Sequence, residues 1–99
     1  MPVTGVAKLL REKREEIHRI ATAHGARNLR VFGSCARGNA GPASDVDLLV
    51  DTAAKPSSWF PAGLIVDLED LLGCRVDVVT EGGLNPLIRE RVLREAVPL

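Results

Sequence analysis

The chain has 99 residues, 45% of them hydrophobic, and its 13 basic and 13 acidic side chains balance to a formal net charge of zero. That length suits a single domain, residues 1–99, around one modest core, and the balanced charge offers no basic field for direct nucleic-acid binding. Two cysteines are too few for a disulfide scaffold and suit a reducing compartment. No basic-then-apolar leader opens the chain and no apolar run reaches the ~18 residues of a membrane span, so a soluble, cytoplasmic protein is expected.

Residues 4–24 carry the first helical pattern. Thr4 can cap it, and Val6, Leu9, Leu10, Ile17, Ile20 and Ala21 recur near one stripe. Lys13 and Arg14 interrupt that stripe, and Gly25 is a natural stop. His18 and His24 lie six residues apart, which puts them off a shared helix face; they read as solvent-facing side chains and not as metal ligands.

Leu29 to Phe32 predicts a short strand ending at Gly33-Ser34. The Gly-Ser turn can offer backbone N–H groups and a hydroxyl to an anion, and Arg37 adds positive charge beside Gly38. Taken alone, Gly33-Ser34 reads as a plain turn. Cys35 reads as a small loop residue, Asn39 to Ala43 as a loop, and Ser44 or Asp45 as turn formers. Val46 to Val50 predicts the next strand. Alternation along it puts Asp45 and Asp47 on one face, where two carboxylates repel unless a cation or a proton intervenes. Mg²⁺, with phosphate oxygens completing its shell, is the ion that suits such a pair. Asp47, inside an apolar run, is the harder of the two to treat as an ordinary surface group.

Asp51 to Pro61 is the longest irregular stretch, with Trp59 and Phe60 expected to fold back over the core. Leu64, Ile65, Leu68, Leu71 and Leu72 mark an amphipathic helix stopping at Gly73, with Asp67, Glu69 and Asp70 on its solvated face. Arg75 to Thr80 alternates as a strand. Strand, helix and strand of these lengths predict a right-handed parallel crossover, which would bring Asp77 to the face of Asp45 and Asp47; without that pair, Asp77 reads as a surface strand residue. After a Gly-rich turn, Asn85 caps a final helix with Pro86 at its first position, running to about Ala96. Arg89, Arg91 and Arg94 read as a solvated face.

The combined pattern Gly33-Ser34, Arg37-Gly38 and Ser44-Asp45-Val46-Asp47-Leu48-Leu49-Val50 resembles the signature of the DNA-polymerase-β-like nucleotidyltransferases. In its small size the chain is similar to their minimal branch, the antitoxins paired with HEPN ribonuclease toxins. The resemblance covers nearly the whole chain and implies an α/β (α+β) fold, a small mixed β-sheet with helices packed on one face. It further implies that Asp45, Asp47 and Asp77 are catalytic and bind Mg²⁺. Gly33, Ser34, Arg37 and Ser44 would hold the nucleoside triphosphate, ATP. The implied activity is transfer of AMP to a hydroxyl, of tyrosine by the resemblance, on a partner HEPN toxin in a hetero-oligomer. Two alternatives stay open: an antitoxin that only masks its partner, and adenylylation of a small molecule.

Overall fold

The computed structural model describes residues 5–33, 45–52 and 60–99. Its elements are α1 (Gly5–Glu12), α2 (Arg14–Ala23), β1 (Ala26–Phe32), β2 (Val46–Thr52), α3 (Ala62–Leu72), β3 (Val76–Thr80), a 3₁₀ turn (Glu81–Gly83), α4 (Pro86–Glu95) and β4 (Val97–Pro98). The described strands form one mixed sheet in the order β3-β2-β1-β4. β1 runs antiparallel to both β2 and β4, and β2 runs parallel to β3. The expected small mixed sheet with helices is therefore what forms.

The leading helix, expected unbroken, is interrupted at Lys13 (φ −98°, ψ 9°). Lys13 N–H still donates to Leu9 O, and Ile17 N–H to Lys13 O, both at 2.9 Å, so the chain continues in helical register across the break. Leu10, Ile17 and Ala21 remain on the core side. Thr4, expected to cap this helix, lies outside the described residues.

β1 begins three residues before the predicted start at Leu29. The register with β2 slips between Arg27 and Arg30, and Asn28 has φ +51°. An extra residue of this kind breaks strict alternation, so Ala26 and Leu29 both point into the core. A sequence reading by twos cannot see that. β2 and β3 realise the predicted crossover, with Val46 opposite Val76, Asp47 opposite Asp77 and Leu48 opposite Val78. α3 stops where Gly73 adopts φ +69° and donates to Glu69 O at 2.8 Å, and Asn85 Oδ1 caps α4 by accepting from Leu87 N–H at 2.9 Å.

Val46, Leu48, Val50, Val76 and Val78 pack beneath side chains of α2 and α3 as the main core, and Phe60 is packed against it. Trp59 lies outside the described residues. The layering is fuller than a single layer of helices. Leu49, fully buried, points to the other face with Leu84 and Val92, flanked by Phe32 and Val79. An apolar residue at the odd positions of β2 has to be covered too, and α4 covers it. The terminal Val97-Pro98 pairs with β1 as an edge strand, a place where proline's missing N–H costs no ladder bond.

Both histidines differ from the solvent-facing expectation. His18 Nε2 is 2.8 Å from Leu99 O, and His24 Nε2 is 2.7 Å from Asp67 Oδ2. These tie α2 to the β4 end and to α3, and neither partner is near them in sequence. Among the described residues no helix is long and apolar enough to cross a membrane.

Candidate active site

β1 delivers the chain to Gly33 beside the carboxylates, because Phe32 is the register partner of Asp47. Gly33 has φ +75°, and a Cβ there would stand 2.6 Å from Asp47 Oδ2. Both the left-handed backbone and the close approach require glycine. The parallel register then sets Asp77 directly across from Asp47, and Asp45, two residues before Asp47, falls on the same face. Asp45, Asp47 and Asp77 line one open cavity of about 260 Å³ together with Glu69, Arg75 and Val76.

Asp47 is half-buried, while Asp45 and Asp77 are exposed. Burial raises the Asp47 pKa above its ordinary 3.8, and the charges of Asp77 and then Asp45 push it further the same way. Each of these causes disfavours the ionised form. The Cys74 thiol beside the site is also pushed up, by burial first and then by Asp45 and Glu69. It is held as the thiol, not the nucleophilic thiolate.

The structure thus brings together four of the residues singled out from sequence: Gly33, Asp45, Asp47 and Asp77. Ser34, Arg37 and Ser44, with Cys35, lie outside the described residues. Two cavity residues were missed. Glu69, expected on a solvated helix face, instead accepts the Val76 N–H with its carboxylate at 3.1 Å. Arg75, expected only as the start of a strand, lines the cavity as well. The available signal was the tight reversal at Gly73, which folds the last turn of α3 onto the first residues of β3.

Among the described residues no three His, Cys, Asp or Glu side chains converge tightly enough to hold one ion. The donor chemistry does fit a hard divalent cation: carboxylate oxygens on two paired strands, with Asp47 carrying repulsion that a cation would relieve. The same face suits the binding of a polyphosphate through such an ion.

The nucleotidyltransferase domain family matches this chain over residues 10–99. The protein belongs to that family. This nucleotidyltransferase is 46% identical over 91 residues to the protein adenylyltransferase MntA of Thermococcus cleftensis, an overlap covering 84% of this chain and 92% of that one. It is 36% identical over 88 residues to a candidate protein adenylyltransferase of Methanocaldococcus jannaschii, covering 89% and 95%. A solved structure of a candidate minimal nucleotidyltransferase matches with a TM-score of 0.82 at 49% identity, over 94% of this chain and 95% of that one. The crystal structure of a toxin–antitoxin with AMP-PNP matches at 0.71 and 20% identity, over 85% and 69%; that likeness carries the fold alone.

Proposed function

We propose that this nucleotidyltransferase is an antitoxin that transfers AMP from ATP, with Mg²⁺, to a tyrosine hydroxyl of a partner toxin of the HEPN ribonuclease kind. The observation that carries the reading is the register of Asp47 against Asp77, with Gly33 packed on Asp47. Asp45 and Asp47 would hold the cation with the triphosphate, whose oxygens would complete its shell, and Asp77 faces the same cavity from the neighbouring strand. When bound, Mg²⁺ neutralises phosphate charge and steadies the leaving pyrophosphate.

The acceptor oxygen attacks the α-phosphorus and the bond to the bridging β-phosphate oxygen breaks. AMP is left on the acceptor and pyrophosphate is released. Asp77, exposed and on a different strand from the Gly33 turn, would take the acceptor's proton. Gly33 keeps the approach to Asp47 open, and Ser34, Arg37 and Ser44 would contact the phosphates. The names of the relatives, protein adenylyltransferases, support a protein acceptor. So does the exposed apolar surface of α4. Leu87 is 90% exposed and Ile88 44%, and Ile88 lines a shallow groove with Phe32, Gly33, Arg91, Val92 and Glu95 that reaches the Gly33 turn. Exposed apolar surface of this sort is what a protein interface covers.

The test is intact-mass spectrometry of this protein incubated with ATP, Mg²⁺ and the protein encoded beside it. AMP-sized additions on the neighbour, lost with Asp45→Asn/Asp47→Asn, are the expected result. Neutralisation of the neighbour at unchanged mass would establish masking instead, and modification of a small molecule alone would remove the antitoxin reading.

A further inference from the structure

We infer that Glu69 is a positioning residue for this site: by accepting the Val76 N–H it fixes the strand that sets Asp77 across from Asp47. The inference rests on the nucleotidyl-transfer reading above, in which Asp77 receives the acceptor's proton.

Among the described residues β3 is an edge strand, paired to the sheet through β2. Val46 N–H donates to Arg75 O at 2.9 Å, and Val46 is the register partner of Val76. In a parallel ladder this pairing turns the N–H of Val76 away from β2, toward the open edge. Glu69 Oε2 meets it there at 3.1 Å in a part-buried bond. The same residue's backbone carbonyl accepts the Gly73 N–H at 2.8 Å. Glu69 therefore anchors both sides of the reversal between α3 and β3, one bond stopping the helix and the other starting the strand. Asp77 is the next residue along. Without this tie the strand would keep its ladder to β2 and its apolar packing on α3, but would lose the polar contact that fixes its first residue, next to Asp77.

Glu69 also lines the carboxylate cavity, so its charge and its hydrogen bond have to be separated. Glutamine separates them, since its amide oxygen accepts the same N–H without the charge. For Glu69→Ala, kcat for AMP transfer is expected to fall on the order of ten- to a hundredfold, the usual effect of removing a group that orients a site residue. KM for ATP should stay within about twofold, because the phosphate-holding turn is elsewhere. Glu69→Gln should restore most of the rate. Melting curves of both variants confirm that the enzyme assayed is folded.

A Gln variant as slow as the Ala variant would overturn the inference in favour of a role for charge, and so would a wild-type rate in Glu69→Ala. If the wild-type protein transfers AMP to no acceptor, the proposed function fails by itself. Amide NMR then decides the present point separately. Glu69→Ala should speed hydrogen exchange at Val76 and shift the Asp77 amide, with Glu69→Gln close to wild type; unchanged exchange and shifts in the Ala variant would overturn it.

Discussion

Gly33 and Asp47 constrain each other. With φ +75° and only 2.6 Å between a notional Cβ and Asp47 Oδ2, Gly33→Ala must either move the carboxylate or shift the end of β1. We expect a cost of about 1–3 kcal/mol in urea unfolding, together with weaker ATP binding by calorimetry; wild-type affinity in that variant would show that Asp47 does not need its present place. Asp47 itself predicts a pH effect with a definite sign. Its folded-state pKa is raised above 3.8, first by burial and then by Asp77 and Asp45. The folded state therefore holds the proton more tightly than the unfolded chain, and stability is lost as pH rises from 3.8 through the raised value. In metal-free buffer Asp47→Asn should be more stable than wild type at neutral pH. The gap should close as pH falls toward 3.8, and unfolding midpoints measured across that range provide the check. A gap independent of pH would assign the effect to packing.

At the scale of elements, α4 does two jobs with different faces. Val92 goes into the small cluster with Leu49 and Leu84, while Leu87 stays almost wholly exposed. Glu81 stands 3.5 Å from Arg30 and 3.9 Å from Arg89, and Arg30 also pairs with Asp51 at 2.9 Å. This links β1, β2, the 3₁₀ turn and α4 on the site face. Because Leu87 makes so little of the fold, Leu87→Asp should change stability by no more than about 0.5 kcal/mol and leave ATP affinity intact. Intact-mass assays should show slower AMP addition to a protein acceptor, and unchanged transfer would place the docking surface elsewhere. The elements themselves were largely legible. An apolar run marked β2 and period-two alternation marked β3, and Gly73 and the Asn85-Pro86 pair marked where α3 stops and α4 starts. The bulge at Asn28 and the strand at Val97-Pro98 were not, since each exists only through pairing with a strand far away in the chain.

At the scale of the molecule, the sheet is buried on both sides along β2, where Leu48, Leu49 and Val50 are all fully buried. Leu48→Ala should cost about 2–5 kcal/mol, a large share of the ~5–15 kcal/mol typical of a domain, and urea unfolding would measure it. A cost under about 1 kcal/mol would mean that the core refills the space.

The sequence by itself determined the carboxylate pair, the glycine at the end of β1 and the crossover that carries Asp77, because side-chain parity and helix stops are local properties. Only the tertiary structure decided that Asp47 and Asp77 are register partners, that α4 covers Leu49 on the carboxylate side of the sheet, and that Glu69 lines the carboxylate cavity. Those depend on which strands and turns meet in space, and a hydrogen bond from α3 to the first residue of β3 leaves no periodicity behind for the sequence to show.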